Sequence, residues 1–273
     1  VLAQLDTTLL RYRAKADTGA VYGAYSHDAA SDWNTVSVTN RNLTSFVMGG
    51  YSHLADNASS SNNSVVLDNS EPMYAYGGLN NNMNEGAKTV AHNNTVTLKN
   101  GSSAMYVFGG AGEFANGNTI NIQDSTVTAA ISAGVGTSGE ANNTVSISGK
   151  SVLNNAVIFG GMFHKTGNTL QMHTSGVTAG DIASFESLHF YLPNNIANGD
   201  TVLTLDGQAF GTPTDITGAN IGVAVTGGKA ALQPGDRITL INAELGLTAD
   251  AKPVNNTSGM KGIQGVSLRY GFD

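Results

Sequence analysis

The 273-residue chain contains no cysteine, five prolines and one tryptophan, and only 12% of its residues are charged. Without cysteine there is no disulfide staple, no thiolate metal site and no cysteine nucleophile. Cations are scarcer still: Lys and Arg total 13, and between Val21 and Gly180 they are Arg41, Lys88, Lys99, Lys150 and Lys165 alone. A phosphate backbone demands clustered cations, so nucleic acid is not the expected partner. No run of about 20 apolar residues is present to cross a bilayer as a helix. The chain opens on VLAQLDTTLL, with neither an initiator Met nor a basic-then-apolar leader, and reads as a mature or excised piece. Disorder is not expected either, because 40% of residues are hydrophobic against a net charge of −7.

What the chain has in quantity is Gly, Asn, Ser and Thr, and these recur in order. Aligned on Asn34, Asn63, Asn94, Asn118, Asn143 and Asn168, six stretches place Val36, Val65, Val96, Ile120, Val145 and Leu170 two residues on. Two further on stand Val38, Leu67, Leu98, Ile122, Ile147 and Met172. Polar residues fill the positions between, which is the period-2 pattern of a half-buried strand. Two residues later come Asn40, Asn69, Asn100, Asp124 and Gly149, types that accept the left-handed backbone of a tight corner. A second strand follows in each copy: VYGAY, FVMGGY, YAYGGL, YVFGGA, AISAGV and VIFGGM.

Strand, corner, strand and return, repeated six times, predict a solenoid in which each coil pairs with its neighbours. One arc of the repeat keeps a nearly constant length while the other accepts insertions, as loops on one side of a coil should. Inward Asn residues stacked on their equivalents can bond one amide to the next. The expected fold is all-β, a parallel β-helix of about six or seven coils. Residues 1–20, with Leu2, Leu5, Leu9 and Leu10, form an N-terminal cap, and 21–180 the repeats. Residues 181–273 form a β-rich C-terminal cap whose strands cover the last open edge.

The rows NNTVTL and VFGG, with the closing block FESLHFYLPNNIANGDTVLTL and ALQPGDRITLINA, resemble the passenger domains of Gram-negative autotransporters, the type V secreted surface proteins. The terminal GVSLRYGFD is similar to a lead-in to that family's membrane barrel, which would lie beyond Asp273. The resemblance implies a right-handed β-helix carried through its own barrel and displayed at the bacterial surface, linked there to the outer membrane. Passengers of that family include adhesins, self-associating proteins and proteases.

Catalytic motifs are sparse. GVGTSG, Gly134 to Gly139, fits a dinucleotide string, but EANNTVSISG after it reads as a strand where the mechanism needs a helix N-terminus. G-x-S-x-G and H-E-x-x-H are missing. His27 and His53 fall in one column about 5 Å apart, without a third ligand next door for tetrahedral zinc. Asp68, Glu71, Glu113, Asp124 and Glu140 fall in different columns, whereas glycan cleavage needs two acids roughly 5–10 Å apart. No cofactor, metal or catalytic residue is assigned.

The second strands offer a binding face instead. If Val21, Val47, Ala75, Val107, Ile131 and Ile158 point inward, alternation turns Tyr22, Met48, Tyr76, Phe108 and Phe159 outward, with Phe46, Tyr74 and Tyr106 beside them. Alternation alone leaves the reverse parity open. The outward stripe Phe46, Met48, Tyr74, Tyr76, Tyr106 and Phe108 is the candidate partner surface, flanked by long loops at Ser52–Asn63 and Leu79–Asn94. The expected function is adhesion or self-association at the cell surface, the partner being a host or bacterial surface ligand or another copy of the chain. A β-helical polysaccharide-degrading enzyme and a structural spacer or filament subunit are the alternatives.

Overall fold

A computed structural model describes residues 19–250 except Asp28, Thr44, Leu54, Gln208 and 227–231, together with the backbone of 260–264 and 268–272. The expected N-terminal cap, Leu2 to Leu10 included, lies almost wholly outside the described residues. Those described form strands and connections, with no helix among them.

The strands run in chain order as β1 (Val21–Ser26), β2 (Thr35–Asn42), β3 (Phe46–Ser52), β4 (Ser64–Glu71), β5 (Tyr74–Asn80), β6 (Thr95–Lys99) and β7 (Ser103–Phe114). Next come β8 (Thr119–Gln123), β9 (Thr126–Gly139), β10 (Thr144–Ser148), β11 (Leu153–Phe159), β12 (Thr169–Met172), β13 (Val177–Ala183) and β14 (Ser187–Leu192). The last are β15 (Thr201–Leu205), β16 (Thr214–Asp215), β17 (Asn220–Val225), β18 (Thr239–Ala243), β19 (Leu247–Thr248), β20 (Met260–Gln264) and β21 (Leu268–Phe272). The chain shuttles between two parallel sheets. One has nine strands in the order β1-β3-β5-β7-β9-β11-β13-β15-β18; the other has eight, β2-β4-β6-β8-β10-β12-β14-β17. This is a parallel β-helix.

Register makes the columns explicit. Val36, Val65, Val96, Ile120, Val145, Leu170, Leu188 and Ile221 are successive partners across the eight-stranded sheet. Val47, Ala75, Val107, Ile131 and Ile158 are partners across the other, and all five are fully buried. The aliphatics of both sheets therefore face each other inside the rod, at about 1.5–3 kcal/mol per fully buried side chain.

A third wall is made by backbone bonds between loops and the ends of β7 and β9: Ser60 N to Val90 O, Ala91 N to Phe114 O and Ala115 N to Gly139 O. Where this wall meets the eight-stranded sheet stands the Asn ladder. The backbone N–H of Asn63 donates to Asn94 Oδ1, that of Asn94 to Asn118 Oδ1, and that of Asn118 to Asn143 Oδ1, each at 2.9 Å. The side-chain amides serve the third wall as well, with Asn94 Nδ2 donating to Ser60 O and Asn118 Nδ2 to Ala91 O. Every polar atom of a fully buried amide is thus used, and that is why Asn recurs there.

The Gly-Gly of the second strands is the counterpart of this ladder. A Cβ on Gly78 would sit 1.9 Å from Ser60 O and 2.8 Å from Asn94 Nδ2. The expected corners are also present, with Asn40, Asn69, Asn100, Asp124 and Gly149 at φ 48–64°. The residue before each ladder Asn forms a second left-handed column: Trp33, Asn62, Asn93, Gly117, Asn142 and Gly167.

The expected β-rich closing segment is β-rich, and it is built on the same two sheets. Windings β14–β15 and β17–β18 follow the six marked by Asn. In register with the ladder they carry Glu186 and Ala219, each preceding a paired position at Ser187 and Asn220. The antiparallel hairpin β20–β21 lies against β17, the last strand of its sheet.

Candidate functional site

With Val47, Ala75 and Val107 in the core, their neighbours on β3, β5 and β7 turn outward. Phe46, Tyr74 and Tyr106 are successive register partners, as are Met48, Tyr76 and Phe108. The rings stack up the rod, Phe46 on Tyr74 and Tyr74 on Tyr106 at 4.9 Å, Tyr76 on Phe108 at 4.7 Å. Across the columns Tyr74–Tyr76 and Tyr106–Phe108 are 6.4 and 6.2 Å apart, nearly parallel. In-register parallel strands set that spacing, and offset stacking adds about 0.5–1.5 kcal/mol per pair beyond area burial.

All six sequence-predicted residues are thus brought into one two-column grid, though not equally. Five rings are half-buried, while Met48 keeps only 5% of its surface and offers little to a partner. Because the ring faces contact one another, the surface presents ring edges and tyrosine hydroxyls. Burial first, and Tyr74 beside it second, push the Tyr76 hydroxyl up to about 12, so it remains a neutral phenol.

Two contributors escaped sequence reading. Met73 and Met105, which alternation would point inward, are 44% and 43% exposed beside the grid. The cause is a doubled step in the ladder. Ser45 O accepts both Met73 N and Tyr74 N, and Met73 O accepts both Met105 N and Tyr106 N. Such bulges re-aim a side chain. The aromatic character also continues to the first winding, where Tyr22 stacks on Tyr51 at 6.0 Å and Tyr25 meets Tyr51 edge-on at 5.2 Å. Burial raises the Tyr51 hydroxyl, with Tyr25 and Tyr22 adding to it.

Strands β1, β3, β5, β7 and β9 contain one ionisable acid or base among them apart from tyrosine, Glu113, and it is buried. The grid therefore lies on a face without exposed formal charge. The loops Ser52–Asn63 and Leu79–Asn94 leave the far ends of β3 and β5 and stack on each other through Asn57 N to Ala87 O and Asn82 Nδ2 to Asp56 Oδ1. They border the face rather than cover it.

Glu113 anchors the second loop. It accepts the amides of Gly86 at 3.0 Å and of Lys88, and the Ser138 hydroxyl at 3.0 Å. The Gly86 amide leads in holding this carboxyl below its ordinary value, against the opposing effect of burial. A depressed folded pKa means the anchor is at full strength above the ordinary carboxylate range and is lost as pH falls through the folded value. Amide exchange at Gly86 and Lys88 is expected to accelerate, relative to the rest of the rod, as pH falls below the ordinary carboxylate range. Glu113→Gln should remove that pH dependence, and an unchanged acid response in the variant would assign it elsewhere.

The other acids are likewise engaged. Glu140 accepts the amides of Gly136, Phe163 and His164 at 2.6, 2.6 and 2.9 Å. Asp68 pairs with Lys99 at 3.3 Å, Glu71 accepts from Asn42, and Asp124 accepts the Lys150 amide. His27 and His53 do fall next to each other, their rings edge-on with centroids 5.5 Å apart, and Tyr51 Oη lies 2.8 Å from His53 Nδ1. Among the described residues no group of three or more His, Asp or Glu is arranged to hold a metal ion. GVGTSG lies within β9, as extended backbone. Compared with protein-family models, curated proteins and solved structures, the chain matches none of them.

Proposed function

We propose that the chain is the passenger of an autotransporter, displayed at a bacterial cell surface and linked to the outer membrane through a barrel. In this reading it acts in adhesion or self-association, without catalysis. The observation that carries the reading is the aromatic grid of β3, β5 and β7 on an uncharged sheet face. Contiguous exposed apolar surface on a rigid scaffold usually marks a partner site. A rod of stacked windings holds such a face flat and far from its anchor, which suits contact between surfaces.

The use of the acids supports the non-catalytic side. Glu113 and Glu140 spend their oxygens on loop amides, and Asp68 on Lys99. A hollow on the other sheet, lined by His189, Phe190, Tyr191, Gly222, Val223 and Ala224, contains no carboxylate. Replacing Tyr74, Tyr76, Tyr106 and Phe108 with serine is expected to abolish attachment by cells displaying the chain while the far-UV β signal persists. Undiminished attachment would remove this face from the function.

A further inference from the structure

Within the adhesive reading just given, on which this inference rests, we infer that the grid's partner is a second copy of the same chain, met face to face. Charge decides among partners. The chain carries a net charge of −7, so two copies brought together at random repel. Strands β1 to β9 of the nine-stranded sheet expose no formal charge. The corner at one border of the grid carries Arg41, Lys99 and Lys150 against Asp68, Glu71 and Asp124, three of each sign, and the two loops at the other border carry Asp56 and Glu85 against Lys88. This face can therefore meet its own image with little like-charge cost, and it has little field with which to attract a basic or an acidic stranger.

Its chemistry is self-complementary as well. Ring faces are occupied along the columns, so a sugar ring finds none to lie on except at the column ends. The edges, methionines and hydroxyls that remain suit another surface of the same kind. A contact made by one patch on both copies is isologous and closes as a pair rather than growing into a filament.

The open area sets the strength. Beyond β9 the sheet is covered by the segment around Phe210 and Thr214. The Phe210 ring lies 6.2 Å from that of Phe159, and Thr214 Oγ1 donates to the buried Asp181 at 2.6 Å. Five windings at about 4.8 Å and strands of about six residues at about 3.3 Å leave on the order of 500 Å² per copy. A stable interface buries about 800 Å² per partner. Each pair is accordingly weak, and cohesion comes from many pairs between surfaces crowded with the chain.

The test displays the purified chain on inert beads, where its only available partner is itself. Wild-type beads are expected to clump while the free chain stays monomeric at micromolar concentration. Beads carrying Tyr74→Lys with Tyr106→Lys, or Tyr74→Glu with Tyr106→Glu, should clump more than about tenfold less, since like charges facing each other cost several kcal/mol. Mixing the Lys beads with the Glu beads should restore clumping. Circular dichroism confirms that each variant keeps its β signal. Wild-type beads that never clump, variants that clump alone like the wild type, or a mixture that stays dispersed would each overturn the second copy as partner. Attachment of the same wild-type beads to foreign cell surfaces is scored separately, so loss of this inference is distinguishable from loss of the adhesive reading.

Discussion

Replacing Gly78 with alanine is expected to prevent the rod from forming. The added Cβ would lie 1.9 Å from Ser60 O, a backbone atom of the third wall, and 2.8 Å from Asn94 Nδ2 in the ladder. Neither neighbour is the free end of a flexible chain. Overpacking costs about 1–3 kcal/mol where a core can shift, and more where it cannot. Here any shift breaks the bond from Asn94 Nδ2 to Ser60 O. Gly50, Gly110 and Gly134 occupy the same column in the adjoining windings. Alanine enters it at Ala24, in the first winding, which has no described coil beneath it. Loss of the cooperative β transition in Gly78→Ala is the expected readout, and a melt like that of the wild type would show that the wall and ladder are not in contact there.

The second large effect is expected from Asn118→Ala. This amide accepts the backbone N–H of Asn94 at 2.9 Å and donates to Ala91 O at 2.9 Å, with no exposed surface. Truncation leaves one buried donor and one buried acceptor without partners, at about 1–3 kcal/mol each. The loss is about 2–6 kcal/mol, a large part of the roughly 5–15 kcal/mol that holds a domain together. The unfolding midpoint should fall by about 4–10 °C. Asn34→Ala at the half-buried end of the ladder should cost less, because water can replace what the side chain supplied. Equal and small shifts for the two would deny the ladder its role.

Much of this architecture is legible in the sequence because the repeat constrains it at every winding. Val36 to Leu170 and Val38 to Met172 read as inward columns, Asn40 to Gly149 as corners, and the structure places them so. The grid was legible only up to its parity, since Val-Phe and Phe-Val alternations look alike until a core chooses between them. What alternation could not reveal lies where period 2 breaks. Met73 and Met105 are exposed because a bulge adds a residue, and no residue type announces it. The last two windings were hidden because Glu186 and Ala219 replace the Asn that marks the others. In sequence Glu113 and Glu140 are only acids in different columns, with nothing to mark them as buried. Their burial depends on loop amides converging from a different winding, which only the coiled chain brings together.

The proposed function rests on the claim that attachment is made by the aromatic sheet and not by the rod at large. The most direct measurement compares two displayed variants in parallel: serine at Tyr74, Tyr76, Tyr106 and Phe108, and alanine at Thr95, Thr97, Thr119 and Asn121 on the opposite sheet. Thr95 with Thr119 and Thr97 with Asn121 are register partners there, outward and half-buried like the rings. Attachment should be lost in the first and kept in the second, both retaining their β signal. Equal attachment by the two variants, whether both stick or neither does, would contradict the account.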